Sequence, residues 1–135
     1  MVQYLTAYGV TAVVFLVIDF IWLSQVARGF YFDRLGDLLL DKPNLAAATA
    51  FYAIYVVGII IFSVAPALRA DSATSALTYG ALFGFFAYAT YDMTNYATLR
   101  NWPLEVSLVD IAWGTCLTGV SALIGYTLTR LVFHP

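Results

Sequence analysis

Long apolar segments alternate with short polar stretches along the chain. Four of them stand out, at residues 4–27, 44–68, 75–99 and 104–132. Each is long enough to cross a bilayer, because a helix needs about 20 apolar residues to span the hydrocarbon layer. Helix breakers fall at segment ends, where Pro43 and Pro103 each follow a residue suited to capping a helix, Asp41 and Asn101. The pattern predicts an all-α polytopic membrane protein, a bundle of four transmembrane helices forming a single domain over residues 1–135.

The composition excludes several other classes of protein. Hydrophobic residues make up 62% of the chain and charged residues 10%, with a mean hydropathy of +0.84. Soluble domains are about half apolar and about a quarter charged, so too few polar side chains exist here to cover a soluble surface. The net charge of -2 provides no basic surface for nucleic acid. One cysteine, Cys116, excludes an intrachain disulfide and any paired-cysteine zinc or redox motif.

The segment between the first two apolar runs has its own pattern. Residues Arg28–Leu40 mix aromatic residues and leucines with alternating charges. Such a sequence favours a short amphipathic helix that lies in the headgroup layer between helices 1 and 2. A plain loop is the alternative.

Positively charged residues flank the predicted helices unequally. Four lie on the side opposite the termini and two on the side of the termini. They are Arg28, Arg34, Lys42 and Arg100, then Arg69 and Arg130. Because cytoplasmic loops carry an excess of lysine and arginine, both termini are predicted to lie outside the cytoplasm.

Three aspartates, Asp19, Asp92 and Asp110, fall inside the predicted helices. A charged side chain at the centre of a bilayer costs about 2.5–3.5 kcal/mol or more, so such residues usually have a partner or a function. With a rise of about 1.5 Å per residue, all three lie roughly 10–13 Å below the side opposite the termini. Three helices therefore bring an acid to one level, and this agreement predicts a shared polar site. Burial and mutual repulsion favour the neutral form, so at least one of the acids is expected to be neutral.

Aromatic and amide side chains share the helix faces of the three acids. Residues three or four apart are neighbours on a helix surface, which places Trp22 beside Asp19. The same spacing places Trp113 beside Asp110. The catalytic candidates are Asp92 first, with Asp19 or Asp110 as its partner in proton transfer. The ligand-binding candidates are Asn95, Trp22, Trp113, Tyr91 and Tyr88.

Two other interpretations of the aspartates stay open. Each could act as polar glue, by hydrogen bonding to hydroxyl or backbone groups of a neighbouring helix. The three could together hold a hard cation such as sodium through oxygen ligands. No histidine lies in the predicted helices and Cys116 stands alone, so zinc, iron and haem are not expected and no cofactor is predicted.

Small residues recur at every third or fourth position on the third and fourth predicted helices. They are Ala76, Gly80 and Gly84, followed by Gly114, Thr118, Ser121 and Gly125. Small residues at this spacing let helix backbones approach closely. The two stripes predict the tightly packed part of the bundle, and they would also suit contact with a second copy of the chain.

Two motifs give the chain a family resemblance. They are Y-D-x-T-N-x-A-T-L-x-x-W-P at Tyr91–Pro103 and D-x-x-W-G at Asp110–Gly114, together with I-D-F-I-W-L at Ile18–Leu23. In these residues, and over nearly its whole length, the chain resembles a bacterial family of predicted four-span integral membrane proteins. The resemblance implies a multi-pass protein of the bacterial inner membrane. It implies no activity and no catalytic residue.

Three functions are compatible with these features. The first is binding of a hydrophobic small molecule or lipid in the pocket of acids and aromatic residues, with acid–base chemistry as an enzymatic extension. The second is an accessory subunit of a larger membrane complex, and the third is a proton- or cation-coupled transporter. The predicted partners are membrane lipids, a hydrophobic ligand and a homo-oligomer or larger membrane complex, but not nucleic acid.

Overall fold

The computed structural model describes residues 1–134, and these residues form helices joined by short turns, with no strand among them. The helices are α1 (Val2–Trp22), α2 (Arg28–Leu35), α3 (Leu45–Ile59), α4 (Ala65–Ala70), α5 (Ala73–Thr98) and α6 (Leu104–Phe133). Two π-helical stretches, Leu23–Ala27 and Ile60–Val64, join α1 to α2 and α3 to α4. The all-α fold class is therefore confirmed.

Helical segments join end to end into four long rods. Three rods are long and apolar enough to cross a membrane, and they are Val2–Leu38, Leu45–Ala70 and Leu104–Phe133. The fourth rod is α5, which has 26 residues and a larger share of polar side chains than the others. Four transmembrane crossings stay a prediction, since α5 does not reach the hydropathy of the other three rods.

The helix starts agree with the breakers, but the capping residues differ from those expected. Asn44, rather than Asp41, caps α3, because its side chain accepts a hydrogen bond of 3.0 Å from the backbone N–H of Ala47. Pro103 itself occupies the N-cap of α6, and Asn101 lies just before it with a left-handed φ of 64°. A proline at this position is compatible with a helix start, since it has no N–H to leave unpaired.

The segment expected to form a separate amphipathic helix continues from α1. The π-helical stretch after Trp22 keeps the chain helical, so the first rod runs 37 residues to Leu38. Arg34 forms an ion pair of 3.2 Å with Glu105 at the start of α6. The region around Arg28–Leu35 is thus helical and is linked to α6, while its location in the headgroup layer stays a prediction.

The helices α5 and α6 pack most closely, along the small-residue stripes. A Cβ atom built on Gly84 would lie 2.3 Å from the carbonyl oxygen of Gly114. One turn away, a Cβ on Gly80 would lie 2.7 Å from that of Ala122. Only hydrogen fits at these positions, so the predicted role of the stripes in helix packing is confirmed.

The helix α3 is held differently. Its backbone packs against α1 and stays farther from α5, and aromatic rings fill the wider gap. Tyr55 stacks on Phe83 of α5 with ring centres 5.2 Å apart, and it meets Tyr88 edge-on at 6.2 Å. These large rings keep α3 and α5 farther apart than small residues would, and the wider gap leaves room for a cavity.

The start of α1, the end of α6 and the turn between α4 and α5 lie at one end of the bundle. Gln3 is 3.5 Å from His134 between side-chain nitrogens, and Arg130 donates hydrogen bonds to Asp71 in the turn. The hydrogen bond and positive charge of Arg130 lower the pKa of the exposed Asp71 carboxyl below its usual value. The rods therefore run alternately up and down.

Candidate functional site

The Asp19 carboxyl links three helices through hydrogen bonds. Its Oδ2 accepts a hydrogen bond of 2.7 Å from the Tyr52 hydroxyl on α3, and its Oδ1 accepts one of 3.2 Å from the Trp113 indole N–H on α6. The side chain is almost fully buried. Both carboxyl oxygens therefore have a partner, and the residue joins α1 to α3 and α6.

An aromatic stack connects this carboxyl to a second one. Trp22 lies flat on Trp113, with ring centres 4.1 Å apart and planes 8° apart. Tyr31 from α2 meets the edge of Trp22 at 6.3 Å, and its hydroxyl donates a hydrogen bond of 3.1 Å to Asp110. Trp113 thus donates a hydrogen bond to Asp19 on α1. Asp110, which lies on the same helix as Trp113, accepts its hydrogen bond from Tyr31 instead.

Asp92 is the most deeply buried of the three acids, with no exposed surface. Among the described residues, neither of its carboxyl oxygens has a hydrogen-bond partner. The nearby donors are already engaged with one another. The Ser107 hydroxyl donates to the backbone carbonyl of Asp92 at 2.7 Å, and the Trp102 indole donates to the Ser107 hydroxyl at 3.0 Å.

Asp92 and Asp110 line one cavity of about 400 Å³, which we call the acidic cavity. The two carboxyl groups are neighbours within it. Its wall also includes residues of the first rod and of the turns on the same side, among them Arg28, Tyr31, Leu35, Leu39, Trp102 and Val106. The segment from Arg28 onwards therefore covers two adjacent acids.

A second cavity, of about 430 Å³, lies between α3 and α5, and we call it the aromatic cavity. Its wall consists of Phe51, Tyr52, Ala87, Tyr88, Tyr91 and Asp110. Tyr91 and Asp110 also line the acidic cavity, so the two cavities adjoin at these residues. One end of the combined space is acidic and the other is aromatic.

Most of the predicted site residues lie close together, and one lies apart. Asp92 and Asp110 share the acidic cavity, and Tyr88 and Tyr91 line the aromatic cavity. Trp22 and Trp113 stack on each other near Asp110, and Asp19 accepts a hydrogen bond from Trp113. Asn95 lines neither of these cavities, and its backbone carbonyl accepts the N–H of Leu99 at the end of α5. The roles of all these residues in catalysis or binding stay predictions.

Sequence reasoning missed Tyr31, Trp102 and Ser107 as parts of the site. Tyr31 follows Trp22 by nine residues, which is two and a half turns of a regular α-helix and predicts opposite faces. The π-helical stretch Leu23–Ala27 lies between them and changes this phase, which the sequence did not indicate. Trp102 was identifiable from the W-P motif, yet its engagement with Ser107 needs the turn before α6 to fold back.

The chemistry available here is that of carboxyl, hydroxyl and aromatic groups. Carboxyl groups accept hydrogen bonds and exchange protons, and aromatic walls suit apolar ligands. Within residues 1–134, no group of three or more histidine, cysteine or acidic side chains could hold a metal ion.

Comparison with known proteins identifies a family. The model of the family described as "Predicted membrane protein (DUF2177)" matches residues 4–127, which is most of the chain. No curated protein and no solved structure matches it. The chain therefore belongs to the DUF2177 family of predicted membrane proteins.

Proposed function

We propose that this member of the DUF2177 family binds a hydrophobic small molecule or lipid in the aromatic cavity, with Asp110 as its polar contact. The cavity itself carries the proposal, because its volume of about 430 Å³ and its aromatic wall suit such a ligand. Small-molecule sites generally measure about 300–1,000 Å³ and place a few polar groups on an apolar wall. Here the polar groups are one carboxyl and the phenol hydroxyls.

A ligand would enter from the side, between α3 and α5. The two helices are held apart there, and Phe51 and Tyr91 at the opening are 50% and 58% exposed. If all four rods cross the bacterial inner membrane, with both termini outside the cytoplasm, this opening faces the lipid. A lipid-soluble molecule then reaches Asp110 without passing through water.

The three acids would have different roles. Asp92 and Asp110 are the neighbouring pair, so one carboxyl could give the ligand a proton while the other removes one. The total protonation of the pair is unchanged by such an exchange. Asp19 would act as a positioning residue instead, because both of its oxygens already accept hydrogen bonds.

The test is to fill the aromatic cavity. Ala87 lines it, so a phenylalanine there would occupy the space of the ligand while adding only apolar surface. We expect the wild type to copurify in mild detergent with a hydrophobic compound, measured by mass spectrometry per mole of protein. Ala87→Phe should lower the amount by about tenfold or more, the effect of roughly 1.4 kcal/mol in binding.

Ala97→Phe is the matched control, since Ala97 is an exposed position on the same helix. It should retain the compound at the wild-type level. Equal amounts in Ala87→Phe and the wild type, or no copurifying compound in any of the three proteins, would contradict the proposal.

A further inference from the structure

The unpartnered acid in the acidic cavity indicates what kind of ligand the site accepts. We propose that the polar end of the ligand donates hydrogen bonds, as an ammonium or hydroxyl group does, and that Asp92 receives them. The hydrocarbon part then lies in the adjoining aromatic cavity. This inference rests on the proposed function, because it concerns the head of the same ligand.

The first argument is a count of hydrogen-bond donors around Asp92. Buried polar groups in proteins nearly always have a partner, yet both carboxyl oxygens of Asp92 have none among the described residues. Ser107 and Trp102 are engaged elsewhere, and Tyr31 donates to Asp110. Arg28 and Tyr91 also line the cavity and carry donors, but neither reaches a carboxyl oxygen of Asp92. A ligand that donates hydrogen bonds would therefore satisfy this acid.

The second argument is the charge of the wall. Among the described residues, Arg28 is the only basic side chain that lines the acidic cavity, which the two acids Asp92 and Asp110 also line. A phosphate or carboxylate head would bring further acceptors and negative charge next to these carboxyls. An ether or ester head would bring acceptors without donors. Phosphate, carboxylate, ether and ester heads are therefore disfavoured relative to an amine or an alcohol.

The third argument is geometric. Tyr91 and Asp110 belong to the walls of both cavities, so a molecule with its head at Asp92 can extend past them towards Phe51 and Tyr88. The acidic end suits the head and the aromatic end suits a chain. A linear amphiphile matches this shape better than a compact polar molecule does.

The test uses four undecyl probes that differ only in their end group: a primary amine, an alcohol, a methyl ether and a carboxylate. Each carries bromine on the chain a few carbons from the end group, close to the tryptophans, where it quenches their fluorescence. All three tryptophans, Trp22, Trp102 and Trp113, lie around the site. Quenching is titrated in detergent micelles, with Ala87→Phe as the reference for quenching outside the cavity.

The amine and the alcohol should bind the wild type about tenfold more tightly than the ether and the carboxylate, as expected for hydrogen bonds to a charged or buried acceptor. Asp92→Leu should abolish this preference and leave ether binding unchanged. Asp33→Leu, at an exposed position of α2, should keep the preference. The ranking on the wild type is informative even if Asp92→Leu fails to fold.

The outcomes separate the two proposals. Equal binding of all four probes to the wild type, or tighter binding of the carboxylate, overturns the assignment of the head and leaves the cavity as a binding site. If no probe quenches the wild type more than Ala87→Phe, the proposed function fails, and the inference fails with it.

Discussion

Replacing Gly84 with alanine is expected to destabilise the bundle by about 1–3 kcal/mol, the usual range for overpacking a close contact. The added Cβ would lie 2.3 Å from the carbonyl oxygen of Gly114 and 2.7 Å from the side chain of Thr118. The nearer obstacle is backbone, so α5 and α6 must move apart as a unit. Thermal unfolding in detergent measures the loss.

Gly9→Ala provides the control for this prediction. A Cβ on Gly9 meets no atom within 4 Å, and the residue lies inside a helix, where alanine is favoured over glycine. This variant should be as stable as the wild type or more stable. Similar melting temperatures for Gly84→Ala and Gly9→Ala would mean that the two helices do not touch as described.

Removing the Asp19 carboxyl should also have a large effect on stability. Asp19→Ala deprives the Tyr52 hydroxyl and the Trp113 indole of their acceptor, and leaving buried donors unpaired costs about 1–3 kcal/mol. It also removes the hydrogen bonds that join α1 to α3 and α6 at this level. We expect a clearly lower melting temperature, measured in the same detergent.

A double-mutant cycle separates the hydrogen bond from other effects of this substitution. Tyr52→Phe removes one of the two donors, so Asp19→Ala should be less damaging in that background than in the wild type. Asp33→Ala, an exposed aspartate on α2 without a side-chain partner among the described residues, should leave stability unchanged. Strictly additive effects of Asp19→Ala and Tyr52→Phe would show that the bond contributes nothing.

The starts of α3 and α6 and the closest helix pair were predictable because they depend on local chemistry. Pro43 and Pro103 limit where helices start, and the observed starts at Leu45 and Leu104 follow them directly. The small residues around Gly84 mark where backbones meet, because no other side chains permit that approach. These features need no knowledge of how the helices are rotated.

The arrangement of the site depended on helix rotation, which spacing in one helix does not determine. The D-x-x-W spacing suggested that each tryptophan contacts the aspartate on its own helix. The Trp113 indole instead donates a hydrogen bond to Asp19 on α1. Asn95 is three residues from Asp92 on α5 and yet lines neither cavity. Only the packing of all four rods decides which faces meet.

The continuation of the first rod was hidden for a related reason. The charges from Arg28 to Asp37 suggested that the chain had left the predicted helix, but charge alone does not interrupt a helix. The first residue with a left-handed backbone is Gly36, at a φ of 49°, and the chain stays helical up to that point. Tyr31 is therefore carried to Asp110, where it completes the site.

Photo-crosslinking in native membranes measures ligand placement most directly. A hydrocarbon probe with a photoreactive group along its chain is activated, and the labelled residues are identified by mass spectrometry. Labelling should concentrate on Phe51, Tyr88 and Tyr91, and it should fall sharply in Ala87→Phe but not in Ala97→Phe. Labelling spread evenly over the exposed apolar faces, and unchanged by Ala87→Phe, would contradict a ligand site between α3 and α5.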